Sequence, residues 1–440
     1  MAIFYRVHRW VSIVCAVFFL LLTLTGLPLL FRGEINAWNT VNLPENHGEM
    51  PLAEIWKTLP EGMAAVTAAN PDKSIRAVTP DASDGTLYFL MQGKGQGKIA
   101  RAHMRMGGEQ IMYDVRTGAL FNRQERQYRI PALADFLHTM HILHVQMGMG
   151  DFGRDFLTVM CVIALLAIAS GVYLYAPLMK NRIFGARRNG SRRALWSDWH
   201  TILSVLSATW AFLLAASGIV IVLYAAGIHD YQRTAPARAA QEIEAAGYAP
   251  MPLAPAEAIA RAQATFPQKE IISMELPKEA GAPYALHLAA PPAKATNFML
   301  GALAYLPQAA DAVPVLVEPP AWTAIVPFFI NLHIHNHDLL AEKIVWAAFI
   351  VLTAAMIVSG LVLYWTRFHN RTLSTPTTTK TAAKTANEKR TPENVWRAPL
   401  IFAALTVIAL VLPIYGGAGD ALGLLAMVAG IGYAVCTLRA

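Results

Sequence analysis

Charge is scarce in this chain of 440 residues: Asp, Glu, Lys and Arg make up 15% of it, against about 25% in an average soluble domain. Cysteine is scarcer still. The three, Cys15, Cys161 and Cys436, lie inside apolar runs and form no CxxC. That excludes a disulfide scaffold, a zinc ribbon, a cysteine-ligated iron–sulfur cluster and covalent CxxCH haem attachment, and the three read as small buried hydrophobes. Also missing are a Walker A loop, a Rossmann fingerprint and a nucleophile elbow. The run Gly93-Lys94-Gly95-Gln96-Gly97-Lys98 lies between strand-like segments with no helix after it, so it reads as a hairpin turn. What fills the chain instead is apolar side chains, 55% of all residues, which excludes disorder and disfavours a purely soluble enzyme.

A bilayer core needs about 20 apolar residues in a helix. Six stretches qualify or nearly do: 10–31, 156–178, 199–224, 344–365, 399–415 and 421–438. The last two form a hairpin around Gly416-Gly417-Ala418-Gly419-Asp420. The first follows Arg6 and Arg9, but it is too long for a signal-peptide core and ends in no A-x-A-like site, so it reads as an uncleaved helix. The net charge of +7 has a topological origin. Residues 180–193 carry Lys180, Arg182, Arg187, Arg188, Arg192 and Arg193 with no acid, and residues 367–397 carry seven further basic side chains. By the positive-inside rule this face is the cytoplasm, and both termini share it. Nucleic acid is therefore not an expected partner; the lipid bilayer is. Two long segments, about 32–150 and 225–340, fall outside, and 372–393, rich in Thr, Ala and Lys, reads as a flexible linker.

An internal repeat organises the rest. The first span reads HRWVSIVCAVFFLLLTLTG from His8 to Gly26, and the third reads HTILSVLSATWAFLLAASG from His200 to Gly218. The second ends SGVYLY from Ser170 and the fourth SGLVLY from Ser359; the same register places His144 on His333. The chain is thus two copies of one unit, helix out, outer domain, helix back, related by a pseudo-twofold axis along the membrane normal. Each outer segment has a short helix, 51–69 or 253–266, followed by strand-like runs: 86–91, 111–115 and 119–121 in the first, 271–276, 284–288 and 299–306 in the second. Both are expected to be small α+β domains.

The expected fold class is a mainly α membrane protein: a two-fold pseudo-repeat of helix pairs, four core helices plus a C-terminal hairpin, with two periplasmic α+β domains. Its segments are helix 1 (1–31), the first outer domain with an interfacial helix (32–150), helices 2 and 3 with the basic loop (151–224), the second outer domain (225–343), helix 4 (344–366), a cytoplasmic linker (367–397) and the hairpin (398–440).

Thirteen histidines carry the functional signal. Ionisable groups at membrane depth are costly and usually functional. The repeat relates His8 to His200 at the cytoplasmic face and His144 to His333 at the outer face. Each pair could supply both axial ligands of a haem iron, giving two non-covalent haems b, one per leaflet. Gly171 and Gly360 lie near the level of His8 and His200, and Gly26 and Gly218 near that of His144 and His333. They serve either as clearance for the porphyrin or as ordinary small-residue helix packing. His144 lies well before residue 156, so Gly148, Gly150 and Gly153 are expected to break the chain there and leave 131–147 as a separate interfacial helix. His138, His141, His335 and His337 have no repeat partners. They are spare ligands, an iron or copper site, or interfacial polar residues. His47, His103, His229, His287 and His369 read as surface or loop residues. Arg6, Arg9 and Arg32 are either partners for haem propionates or solvated juxtamembrane charge.

At these residues the sequence resembles the PepSY-associated transmembrane proteins, which include iron-regulated inner-membrane ferrisiderophore reductases. The carried features are His8 with the run to Thr25-Gly26, Leu143-His144 before Gly150 and Gly153-Arg154, His200 with Ser217-Gly218, and Leu332-His333 before the helix ending Ser359-Gly360. Asp114-Val115-Arg116-Thr117-Gly118 resembles the PepSY Asp-x-x-Thr-Gly strand turn, and 256–267 followed by 271–277 resembles the module's opening. The second module lacks that turn, which leaves its closing strand open. The resemblance covers about residues 1–370. It implies a di-haem b reductase of the bacterial inner membrane that passes electrons from an unidentified cytoplasmic donor to a periplasmic ferric siderophore, releasing Fe(II) for uptake, with His8, His144, His200 and His333 as haem ligands. Two rivals stand beside it: a cofactor-free PepSY regulator or binding protein, and a siderophore or metal transporter. The spans lack the intramembrane acids and lysines of a coupled pump.

Overall fold

The computed structural model describes residues 2–42, 46–93, 109–179, 192–279, 281–291, 301–334, 339–369, 392–415 and 417–439. Most of the basic loop and of the 372–393 linker, and the glycine–lysine turn after Gly93, lie outside the described residues, as do His103, His335 and His337. In chain order the elements are α1 (Ala2–Leu30), α2 (Arg32–Asn39), α3 (Leu52–Lys57), α4 (Leu59–Ala69), β1 (Lys73–Asp81), β2 (Thr86–Gly93), β3 (Glu109–Asp114), β4 (Leu120–Asn122), α5 (Pro131–Gln146), α6 (Gly150–Met179) and α7 (Arg192–Ala246). There follow α8 (Pro255–Thr265), β5 (Glu270–Glu275), β6 (Tyr284–Ala289), β7 (Ala302–Leu306), β8 (Val315–Val317), α9 (Val326–Ile334), α10 (Leu340–His369), α11 (Pro392–Val411) and α12 (Ala418–Arg439). They sort into a helical unit (Met1–Asn36, Ala132–Leu223, Phe328–Ala440) and a sheet unit (Ala37–Pro131, Tyr224–Pro327).

Among the described residues, four helices are long and apolar enough to cross a membrane: Ala2–Leu30, Gly150–Tyr175, Arg192–Ala246 and Leu340–Thr366. The hairpin helices carry shorter apolar stretches, Pro399–Tyr415 and Ala418–Ala434. The six expected stretches thus appear as four long spans and a shorter pair, the fifth with the expected bounds 399–415 and a 3-10 turn over Leu412–Tyr415 at its end. The expected break before α6 is present. Met147, Gly148 and Gly150 all have positive φ, and the amides of Met147 and Gly148 close on the carbonyls of Leu143 and Ile142. This left-handed cap, with the Met147 amide closing on Leu143, stops α5 just past His144. Mid-bundle, Trp210 of α7 stacks on Phe349 and meets Trp346 edge-on, both from α10. Phe402 and Leu410 of α11 belong to the same core, so the hairpin is part of this bundle.

The third span departs most from expectation. Its expected end is residue 224, yet α7 runs on to Ala246. Alanine fills much of 225–246 and is the strongest helix former, and Ala235 and Ala239 are buried on one face. The boundary between the third helix and the second outer segment therefore falls inside one continuous helix.

In the sheet unit, the two expected α+β domains are joined in one sheet of eight antiparallel strands, ordered β4-β3-β2-β1-β5-β6-β7-β8. The order is symmetric about the β1–β5 pair. Two of these strands have no clear sequence signal. β1 carries Pro80 and a bulge between Ile75 and Ala77, which spoil a clean alternation, and β8 is only three residues long. β8 also supplies the closing strand of the second module. The expected helix over 51–69 is two, α3 and α4, which meet at Thr58. With α8 they cover one face of the sheet, where Ile55, Leu59, Val66, Ile259 and Ala262 pack against Phe89, Met274 and Leu286. Asp114 Oδ1 accepts from the amides of Arg116 and Thr117, and Gly118 takes φ +70°. This is why the β3–β4 turn needs Asp and Gly at those places. The far end of α7 is tied to the sheet by Tyr231, whose hydroxyl donates to the Val317 carbonyl and accepts from the Leu303 amide.

The seam between β1 and β5 has few backbone pairs, Ala77 with Glu275 and Val78 with Met274. Side chains reinforce it. The Arg76 guanidinium donates to the Glu275 carboxylate and the Leu276 carbonyl, both at 3.0 Å, and Trp56 Nε1 donates to the Ile271 carbonyl. Partial burial pulls the Glu275 carboxyl upward, but the hydrogen bond and charge of His287 and the charge of Arg76 outweigh it and hold the group below its ordinary value. A carboxyl lowered in the fold stabilises it fully above its unfolded pKa, and that contribution is lost as pH falls through the folded one. The expected outcome is that hydrogen-exchange protection at the Leu276 amide, which donates to the Arg76 carbonyl, drops below about pH 4. Glu275→Gln should show weaker protection at neutral pH and no such step. A wild-type seam equally protected at pH 3 and pH 7 would contradict it.

Candidate functional site

The four repeated histidines lie in the helical unit. His8 is on α1 and His200 on α7; His144 is in the last turn of α5 and His333 in that of α9. All four are held in the same way. His8 Nδ1 lies 3.0 Å from the Ala167 carbonyl and 3.1 Å from Ser170 Oγ. His144 Nδ1 lies 3.1 Å from both the Leu22 carbonyl and Thr25 Oγ1. His200 Nδ1 meets the Met356 carbonyl at 3.1 Å and Ser359 Oγ at 3.0 Å. His333 Nδ1 meets the Leu214 carbonyl at 3.1 Å and Ser217 Oγ at 3.0 Å.

The local reason is the same each time. In a helix, the carbonyl of residue i accepts from the amide of residue i+4 and keeps a second lone pair. The residue at i+4 is Gly171, Gly26, Gly360 or Gly218. A Cβ at Gly171 or Gly360 would stand 3.1 Å from Cε1 of His8 or His200; at Gly26 the gap to His144 would be 3.2 Å, and at Gly218 the gap to His333 3.3 Å. The four glycines therefore make room for an imidazole to reach the carbonyl one turn back. The space beside each is filled by the ring itself.

The exchange is reciprocal. His8 of α1 docks on α6, and His144, which leads into α6, docks on α1. His200 of α7 docks on α10, and His333, which leads into α10, docks on α7. The two helix pairs then meet. The rings of His144 and His333 have centroids 6.4 Å apart and planes inclined by 49°. From His200 to Gly218, the docking point of His333, is 18 residues, about 27 Å along α7. The two histidine layers are thus separated by nearly the depth of a bilayer core.

The hydroxyls are the part the sequence did not disclose. The [Ser/Thr]-Gly pairs stand out as repeats, yet in an apolar helix they read as small packing residues. Their recurrence immediately before all four glycines was the available signal. Among the other candidates, His138 is exposed and His141 half-buried. Burial first, and then the charges of Arg32 and His138, push His141 below the ordinary histidine value. Arg6 is exposed, Arg32 half-buried, and Arg9 lies 5.0 Å over the Trp10 ring. His229 is exposed, whereas His47 and His287 have acidic partners, Asp114 and Glu275. Among the described residues, no three His, Cys, Asp or Glu side chains gather into a metal-binding cluster.

A family model described as the PepSY-associated TM region matches residues 5–367. That span contains every histidine and glycine of the two layers and ends before α11. No curated protein matches the chain.

Proposed function

The chain belongs to the PepSY-associated TM region family, and from that membership and the histidine layers we propose that it is a di-haem b reductase of the bacterial inner membrane. In this reading His8 and His200 hold one haem near the cytoplasmic face, and His144 and His333 hold the other near the periplasmic face. The sheet unit is periplasmic. Electrons from a cytoplasmic donor reduce Fe(III) bound by a siderophore, and Fe(II) leaves its hard oxygen ligands more readily. Haem, when bound, supplies a one-electron Fe(III)/Fe(II) couple.

The observation that carries the reading is the anchoring of all four Nδ1 atoms on main-chain carbonyls. A carbonyl can only accept, so each Nδ1 carries the proton and each Nε2 keeps its lone pair. Fixing one imidazole nitrogen to orient the other is the usual arrangement of a metal-ligating histidine. The ring separation agrees. The rings of His144 and His333 have centroids 6.4 Å apart, close enough for both to reach one metal ion if each used its Nε2. The number of ligands agrees as well. A structural zinc takes four protein ligands and a catalytic zinc three, whereas a porphyrin-bound iron asks the protein for two.

The test is the absorption spectrum of the detergent-purified chain, oxidised and dithionite-reduced, with a pyridine haemochrome count. The expected result is a Soret band that shifts on reduction and about two haems b per chain. Protein free of haem after expression with haem supplied would reject the reading in favour of a cofactor-free regulator or a transporter.

A further inference from the structure

The two layers share one anchoring plan but differ in where their hydroxyls donate. In the layer of His8 and His200, each serine donates to the carbonyl that its histidine also uses. Ser170 Oγ donates to the Ala167 carbonyl at 2.9 Å, and Ser359 Oγ to the Met356 carbonyl at 2.6 Å. Those carbonyls are shared with His8 and His200. In the layer of His144 and His333, the shortest hydroxyl bond goes one residue further back. Thr25 Oγ1 donates to the Leu21 carbonyl at 2.8 Å and is 3.2 Å from that of Leu22. Ser217 Oγ donates to the Leu213 carbonyl at 2.7 Å and is 3.1 Å from that of Leu214. The carbonyls that receive His144 and His333 are thus left mainly to the imidazoles. All four hydroxyl residues are buried.

The consequence is electronic. The more strongly Nδ1–H is drawn to its acceptors, the richer the ring and the better Nε2 donates to a metal. Stronger donation favours Fe(III) over Fe(II) and lowers the reduction potential. At His144 and His333 the hydroxyl oxygen adds a second acceptor and shares the first only through its longer bond. At His8 and His200 it adds an acceptor and competes for the carbonyl, so its two effects oppose. We propose that Thr25 and Ser217 are positioning residues that lower the potential of the haem at the His144/His333 layer, whereas Ser170 and Ser359 leave theirs nearly unchanged. The proposal rests on the di-haem reading. The change itself is one electron, Fe(III) to Fe(II), with the Nδ1 proton kept on the ring.

Redox titration of the purified full chain, with haem content measured on each sample, tests it. A His8→Ala background isolates the His144/His333 layer, and a His144→Ala background isolates the other. In the first, Thr25→Val and Ser217→Ala should each raise the midpoint potential by about threefold to tenfold in ferric preference, ~30–60 mV for one electron. In the second, Ser170→Ala and Ser359→Ala should shift it by less than half as much. Thr25→Ser and Ser217→Thr, which keep the hydroxyl, should stay at the parent value. Loss of haem from Thr25→Val but not from Thr25→Ser also supports the assignment. Loss from both, equal shifts in the two layers, or unmoved potentials with haem retained would overturn it. Wild-type protein without haem would remove the di-haem reading itself.

Discussion

His144→Ala is expected to lower the haem count from about two per chain to about one, and His8→Ala to do the same through the other layer. The effect is large because each layer has one histidine from each helix pair, and no other described histidine docks on an [Ser/Thr]-Gly step. The loss also removes the imidazole from Thr25 Oγ1 and the Leu22 carbonyl. Free imidazole in the buffer should partly restore the missing haem by entering the vacated space. His287→Ala, made in the sheet unit where His287 faces Glu275, should retain the full count. If His144→Ala keeps both haems, or His287→Ala loses one, the ligand assignment is wrong.

The glycines should be nearly as sensitive although they carry no donor atom. At Gly360 a Cβ would already stand 3.1 Å from Cε1 of His200, and at Gly26 3.2 Å from Cε1 of His144. Valine adds two methyl groups beyond that point, and a close-packed interior has no slack to receive them. Gly360→Val and Gly26→Val are therefore expected to expel one imidazole from its carbonyl and lose about one haem each, with all four histidines present. Gly432 of α12, which meets nothing within 4 Å, is the control, and Gly432→Val should keep the count. Haem analysis with circular dichroism separates local displacement from loss of the helices. A full haem count in Gly360→Val and Gly26→Val would mean that the rings do not occupy these gaps.

The residues of the two layers were legible because the sequence repeats each of them at one spacing. His8 and Gly26 recur as His200 and Gly218. Packing in an apolar helix asks for no histidine at all, so its return at the same 18-residue distance from a glycine marks a shared task. The bonding around them was not legible. Whether a serine in an apolar helix donates to its own backbone or receives a neighbour depends on which helix faces it, and periodicity does not report that. The strands show the same limit. β2, β3, β5 and β6 are short apolar runs buried along most of their length, whereas β1 hides behind a bulge and Pro80. Alternation also tells which face of a strand is buried but not which strand lies beside it. The union of the halves along β1 and β5 was therefore invisible, since it rests on two backbone pairs and on side chains 194 or more residues apart, such as Thr79 with Ser273 and Arg76 with Glu275. The extension of α7 was missed for a different reason: alanine-rich sequence past Tyr224 looks like a loop when a membrane span is taken to end where the apolar run does.

The symmetric strand order has a bearing on solubility. A sheet offers its unpaired rim to any passing strand, and rims that are long and flat invite aggregation. Here the nine-residue β1 is covered by β5, and the rims left open are β4 and β8, three residues each. Each half shields the long margin of the other. Losing either half would bare β1 or β5 of the other, strands of nine and six residues, so each half is held in place by the margin it covers even if it contributed nothing else.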